Sequence, residues 1–281
     1  MLSFPNPKIN IGLFVTRKRP DGYHDLETIF APVSVAAPTM QASMSLNDVL
    51  EVVPATETRI TITGLAVAGT EADNLVWKAW HLLQASHPHI APVHIYLHKK
   101  IPMGAGLGGG SADGAFMLRL LNDYYELGLS LAQLAELALL LGSDCPFFLY
   151  NKPCYASGRG EELLPISLDL SPFTIQIVDT AIHVSTANAF SLISPRPAPY
   201  DLRNLPDLPV ESWKDVIHND FEGAVFSRHP QLLEVRDHLY HSGALYASMT
   251  GSGSAIYGIF PKGKMANMDL DFFSKSYISE G

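Results

Sequence analysis

Ile101-Pro102-Met103-Gly104-Ala105-Gly106-Leu107-Gly108-Gly109-Gly110-Ser111 places five glycines in the seven positions from Gly104 to Gly110. Upstream, Val93, Ile95 and Leu97 alternate with His94, Tyr96 and His98, the period-two pattern of a strand. Downstream, Ala112 to Tyr125 reads as a helix that is apolar on most sides and therefore deeply buried. Strand, glycine turn and helix is an arrangement that binds phosphate. Glycines let the backbone approach the anion, and the first-turn N–H groups carry about half a positive charge. A glycine run this dense has a high entropic cost unless a ligand uses it.

Three rival motifs fail. G-x-G-x-x-G is met at Gly104, Gly106 and Gly109, but a dinucleotide site also needs an acid about 20 residues on, after a second strand. Here that region is still helix and its end, Tyr125-Glu126. A Walker A loop needs Lys where Gly110 stands. No His-Arg-Asp or Asp-Phe-Gly triplet exists, so the protein-kinase set is missing.

Outward from the loop, Ile9–Thr16 and Leu26–Val35 are apolar and β-prone around the turn Arg19-Pro20-Asp21-Gly22, which predicts a hairpin with its tip at Asp21-Gly22. Arg59–Thr63 alternates as a half-buried strand, and Asp73-Asn74 can cap a helix over Leu75–Gln84. Ser130-Leu131-Ala132-Gln133 is a capping box opening a helix to Leu141, with Gly142 as its stop. The second half carries strand patterns at Phe173–Val178, Ala244–Met249 and Ala255–Phe260. Helical patterns lie around Asp220–Phe226 and Gln231–His241, after a Pro-rich connection, Ser194–Pro209. A domain boundary is expected near Asn151–Ser157. Hairpins mixed with crossovers argue for an α+β two-domain protein, not a doubly wound sheet.

The 281 residues suit one large or two modest domains at ~150 residues each. Hydrophobic residues at 47% supply a core and exclude a disordered chain. A net charge of -9 opposes phosphate-tracking nucleic-acid binding. Two cysteines, Cys145 and Cys154, suit a reducing compartment. The N-terminus lacks the pattern of a signal peptide, and the charge-free stretches Thr28–Asn47 and Ala79–His98 contain prolines that spoil a membrane span. A cytoplasmic protein without membrane or nucleic-acid partners is expected. The five histidines from His81 to His98 show no ligand spacing, so no metal site is assigned.

Gly106-Leu107-Gly108-Gly109-Gly110-Ser111-Ala112-Asp113 resembles the phosphate loop of the galactokinase–homoserine kinase–mevalonate kinase–phosphomevalonate kinase superfamily. Within it, three further segments resemble the 4-diphosphocytidyl-2-C-methyl-D-erythritol kinases. They are Pro7-Lys8-Ile9-Asn10 with Arg19–His24, then Leu141-Gly142-Ser143-Asp144-Cys145-Pro146-Phe147-Phe148, and Thr250-Gly251-Ser252-Gly253-Ser254. Together they span residues 7 to 260. The resemblance implies an N-terminal ribosomal-protein-like α/β module, 1–154, binding ATP, and a C-terminal ferredoxin-like α+β domain, 155–281, with the site in the cleft between them. It implies ATP as co-substrate, Mg²⁺, and phosphorylation of the 2-hydroxyl of a small molecule, cytidine diphosphate-linked methylerythritol. A monomer or weak homodimer is expected. Another small-alcohol kinase, of homoserine or mevalonate type, would keep the glycine loop but lack Asp21-Gly22-Tyr23-His24.

Residue by residue, the resemblance makes Asp144 the base that takes the hydroxyl proton, though it also stands where a short helix would be capped. It puts Lys8 beside that base; without it, Lys8 is a solvated strand-end charge. A nearby ammonium weakens a carboxylate as a base, which loose phosphoryl transfer tolerates, so Lys8 serves as an electrostatic stabiliser. ATP would be held by Lys99, near the adenine, and by Pro102, Met103, Gly104, Ala105, Gly106, Leu107, Gly108, Gly109, Gly110, Ser111 and Ala112. Lys99 reads equally as an exposed strand-end lysine, and Ser111 as a phosphate or Mg²⁺ contact, a helix N-cap, or both. The substrate would meet Asn10, Tyr23, His24, Phe190 and Thr250. Tyr23 would stack on cytosine and His24 bond its edge, with Phe190 either the opposite stacking face or core. Thr250–Ser254 is either a hairpin turn or an amide wall, and Asn219-Asp220 reads as a cap. Asp113-Gly114, Ser143 and Asn6-Pro7 depart from the family pattern.

Overall fold

The computed structural model describes residues 1–33, 46–268 and 275–280. In chain order the strands are β1 (Leu2–Ser3), β2 (Lys8–Lys18), β3 (His24–Pro32), β4 (Val49–Pro54), β5 (Arg59–Gly64), β6 (Val93–Lys99), β7 (Cys154–Ser157), β8 (Glu162–Pro165), β9 (Phe173–Asp179), β10 (Tyr246–Met249), β11 (Ile256–Pro261) and β12 (Lys275–Glu280). The helices are α1 (Leu75–Ser86), α2 (Gly109–Tyr124), α3 (Leu131–Leu141), α4 (Cys145–Tyr150), α5 (Thr186–Ser191), α6 (Trp213–Val216), α7 (Glu222–Arg228) and α8 (Pro230–His241). The expected first hairpin is β2–β3; Ser34 and Val35, at the end of the expected second strand, lie outside the described residues.

Two compact units emerge. Met1–Pro7, Leu46–Met103 and Gly108–Asn151 form the first; the hairpin from Lys8, Gly104–Leu107 and the chain from Lys152 form the second. This is a different partition from a break at 154/155. The physical reason is that β3 pairs with β7, Thr28 opposite Ala156 and Phe30 opposite Cys154, so the first hairpin belongs with the later strands.

In the first unit the sheet order is β1-β4-β6-β5. Only β5 and β6 run parallel, Ile60 opposite Ile95, and α1 makes the crossover that parallel neighbours require. Leu50, Val52, Ile95 and Leu97 are buried on this sheet, as are Ala112, Ala115, Leu118 and Leu121 on α2. Asn74 caps α1 through Val76 N (2.9 Å), and the Ser130–Gln133 box opens α3 as its sequence predicts.

The second unit has two antiparallel sheets, β2-β3-β7-β8 and β10-β11-β9-β12. β2 carries a bulge between Ile11 and Leu13, where Gly12 has φ +64°; a side chain there would strike Leu202. Helices α7 and α8 bury Val225, Phe226, Leu232, Val235 and Leu239 in one cluster with Val178, Met249, Ile256 and Phe260. Among the described residues no helix is long and apolar enough to cross a membrane.

Candidate active site

The glycine loop is built by close backbone approach. Helix α2 starts at Gly109, capped by Gly108 in the left-handed region at φ 70°, and Ala112 N reaches Gly108 O at 2.9 Å. Ser111 therefore sits inside the first turn, and the N-cap expected of it belongs to Gly108. Gly106 has φ +79°, and a Cβ there would overlap the Thr250 carbonyl oxygen. Within the second unit, the loop's own carbonyls are taken: Leu107 O by Lys8 N (3.0 Å), Ala105 O by Ala255 N (3.1 Å) and Gly106 O by the Thr250 hydroxyl (3.1 Å).

Around that turn, three of the sequence-selected residues of this unit converge: Lys8, Asn10 and Thr250. Lys8 is buried, its Nζ donating to Asn10 Oδ1 at 2.5 Å and lying 4.8 Å from the centre of the Phe30 ring. A solvated strand-end charge is excluded. Asn10 N donates to Thr250 Oγ1 (3.1 Å), Asn10 Nδ2 to Thr28 Oγ1 (3.1 Å), and the Tyr257 hydroxyl to Asn10 O (2.8 Å). Thr250–Ser254 is the turn joining β10 and β11, held by Asn219 Nδ2 on the carbonyls of Met249 and Gly251 at 2.8 Å each. Asn219 also caps the turn ahead of α7, accepting from Phe221 N at 2.9 Å, while Asp220 instead accepts from Val15 N at 2.8 Å.

In the first unit, Asp144 occupies the N-cap position of α4 with αR backbone angles and makes no side-chain capping bond. Its side chain is half-buried. The neighbouring Cys145 thiol is pushed up to about 12 by burial, which the nearby Ser111 hydroxyl offsets only in part. Lys99 is 1% exposed, so the exposed strand-end alternative falls. Its Nζ donates to Asp48 and to Asp113 Oδ2, the latter at 2.6 Å. Burial alone would lower the Lys99 ammonium, but the two carboxylates hold it above the usual lysine range. Burial drives the Asp113 carboxyl well above the ordinary carboxylate range, and Asp48 adds to that push. Asp48 Oδ1 also accepts from Lys100 N (2.5 Å) and Ile101 N (2.9 Å), fixing the entry to the glycine loop.

Asp48 escaped the sequence reading because nothing local marks it; its lysine is 51 residues away. Asp113 had a signal, an acid among the small and apolar residues that open α2. A cavity of about 130 Å³ opens beside the triplet, lined by Val67, Leu75, Lys99, Met103, Gly110 and Asp113 among others. Three residues selected for ATP (Lys99, Met103 and Gly110) thus share one concavity.

On the second unit, His24 stacks on Phe190 with ring centres 5.0 Å apart and planes 20° apart. Phe190 meets Phe221 edge-on at 4.8 Å and packs against the α7–α8 core cluster, as its core alternative expects, and the ring it stacks on is His24. Tyr23 is 58% exposed, with the Arg159 guanidinium 5.1 Å from its ring centre.

Comparison with known proteins follows the same lines. The GHMP kinases N terminal domain matches residues 74–152, and the GHMP kinases C terminal domain matches residues 202–277. A 4-diphosphocytidyl-2-C-methyl-D-erythritol kinase of Bacteroides thetaiotaomicron is 45% identical over 96% of each chain. A crystal structure of a 4-(cytidine 5'-diphospho)-2C-methyl-D-erythritol kinase superposes with TM-score 0.73 at 33% identity, covering 94% of this chain and 91% of that one. Methanococcus jannaschii mevalonate kinase superposes at TM-score 0.64 with 15% identity over 92% of this chain and 90% of that one, a likeness of fold alone. With a relative 45% identical over nearly its whole length, this chain belongs to the 4-diphosphocytidyl-2-C-methyl-D-erythritol kinase family of the GHMP kinases.

Proposed function

We propose that this chain transfers the γ-phosphoryl group of ATP to the 2-hydroxyl of 4-diphosphocytidyl-2-C-methyl-D-erythritol. The observation that carries this reading is the 45% identity over 96% of both chains with an enzyme named for that substrate. The mevalonate kinase likeness, at 15% identity, supports only the shared fold.

In this reading residues 1–154 carry the ATP loop and 155–281 complete the substrate site. The adenine enters the cavity beside Lys99, and the phosphates meet the amides from Gly108 to Ser111 at the start of α2. Asp144, at the start of α4, accepts the hydroxyl proton, while Lys8 stabilises charge on the transferring phosphoryl oxygens. The Asn10–Thr250 pair sets the position of the Lys8 ammonium. Tyr23 and His24 take the cytosine.

Mg²⁺ belongs to this scheme as the partner of ATP. In this reading the ion is carried mainly by phosphate oxygens. The Ser111 hydroxyl, a hard oxygen donor in the first turn of α2, would complete its shell. The ion would neutralise charge on the β- and γ-phosphates. Free, buried thiols at Cys145 and Cys154 support a cytoplasmic setting, and a monomer or weak homodimer is the assembly proposed.

The test is a coupled ADP-release assay with ATP and Mg²⁺ against four alcohols: the cytidine diphosphate conjugate, its uridine analogue, homoserine and mevalonate. Turnover of the conjugate above the other three is expected. Turnover of homoserine or mevalonate in its place would overturn the substrate.

A further inference from the structure

We propose that Arg159 is a positioning residue for pyrimidine recognition: it backs one face of Tyr23, so that the opposite face receives the base of the substrate. This rests on the cytidylyl-substrate reading above and adds to it a residue that the motifs did not select.

The geometry begins with two turns brought side by side in the second unit. Leu26 N, in β3, donates to Gly158 O, in the β7–β8 turn, at 2.7 Å. That turn is Ser157-Gly158-Arg159-Gly160-Glu161-Glu162, with Gly158 and Gly160 both in the left-handed region. Glu161 holds Arg159 twice: Oε2 accepts the Arg159 backbone N at 2.6 Å and Oε1 accepts Nε at 3.3 Å. The side chain is thereby only 33% exposed despite standing at a turn. Its guanidinium lies 5.1 Å from the Tyr23 ring centre.

Tyr23 itself is set by Asp21, whose Oδ1 accepts Tyr23 N at 3.1 Å, and the Arg159 charge acts on Asp21 as well. Backbone and ring of Tyr23 are thus fixed from two sides, while the residue remains more than half exposed. His24, its neighbour, turns the other way onto Phe190.

An exposed aromatic ring at a hairpin tip ordinarily samples several rotamers, and a base that stacks on it must freeze them. A flat guanidinium already stacked on one face removes that cost and closes that face to the ligand. A lysine in the same place keeps the charge but not the plane. The ligand class is a cytidine-type nucleobase carrying a diphosphate.

The experiment uses the full chain. Arg159→Ala is expected to raise KM for the cytidine diphosphate conjugate about three- to tenfold, with kcat and the KM for ATP changed by less than about twofold. Arg159→Lys should recover only part of the loss. In a Tyr23→Ala background, adding Arg159→Ala should change nothing more, because the effect passes through the ring. Calorimetric titration with CDP, which needs no turnover, should weaken by the same factor in Arg159→Ala. Equal CDP affinity in wild type and Arg159→Ala, or an additive loss in the Tyr23→Ala background, overturns the role of Arg159 and leaves the reaction standing. Wild-type protein that binds CDP, loses that binding in Arg159→Ala, yet does not phosphorylate the conjugate supports Arg159 and overturns the reaction.

Discussion

Lys8 and Asp144 are each placed by their own unit, and the proposed reaction gives a role to both. Lys8 is withdrawn from solvent at the start of a strand and held by Asn10, and Asp144 stands at a helix start without capping it. Lys8→Ala and Asp144→Asn should each lower kcat by about a hundredfold or more while leaving circular dichroism unchanged. Near-normal turnover in a folded variant removes that residue from the chemistry. Lys99 has a different part. Replacing it with Met strands two buried carboxylates, so Lys99→Met should cost about 3–5 kcal/mol in urea unfolding; a loss under about 1 kcal/mol contradicts the triplet's role. At this scale the sequence offered residue types and neighbours but not burial. Lys8 and Lys99 read as surface lysines because their partners come from elsewhere in the chain, Thr250 behind Asn10 and Asp48 beside Lys99.

Elements were legible where a local rule decides them. The Asp21-Gly22 turn, the Asn74 cap and the Ser130–Gln133 box each depend on contacts within a few residues, and Ser130→Ala should cost about 1 kcal/mol in the same unfolding assay. Strands β4, β7 and β8 escaped because they are four to six residues long and gain their partners only by pairing across the chain. The glycine loop lies between these cases. Its glycines announce a ligand loop, yet the need for Gly106 comes from Thr250, 144 residues on. Gly106→Ala should destabilise by more than about 1 kcal/mol and raise the KM for ATP, measured by unfolding and by the ADP assay; a silent Ala would contradict the close approach.

The junction of β2 with residues 218–220 supplies a pH test. Burial would raise the Asp220 carboxyl, but bonds from His218, Val15 N and Arg196 outweigh it and hold it below 3.8. A depressed carboxyl contributes stability above its unfolded value and loses it as pH falls through the folded one. Asp220→Asn should therefore be less stable than wild type at pH 7, with the gap closing below 3.8. A gap independent of pH contradicts the assignment.

For the molecule as a whole, the α+β class and the two-part organisation followed from the mixture of hairpins and a crossover. What composition and periodicity could not give is that the first hairpin folds with the last half of the chain, since β3–β7 pairing spans more than a hundred residues. Ligands read the whole fold at once. A nucleotide or CDP at a hundred times its Kd should stabilise the protein by about 2.7 kcal/mol in thermal unfolding, whereas homoserine and mevalonate should not shift it. Equal shifts from mevalonate would favour a different small-alcohol kinase.

The reaction itself is tested most directly by following ³¹P resonances of the cytidine diphosphate conjugate incubated with ATP, Mg²⁺ and the protein. One new phosphomonoester signal, coupled to no proton because the 2-carbon carries a methyl group and no hydrogen, should grow in step with ADP while the diphosphate signals of the conjugate persist. A phosphomonoester coupled to methylene protons, or ADP formed with no new phosphomonoester at all, would contradict transfer to the 2-hydroxyl.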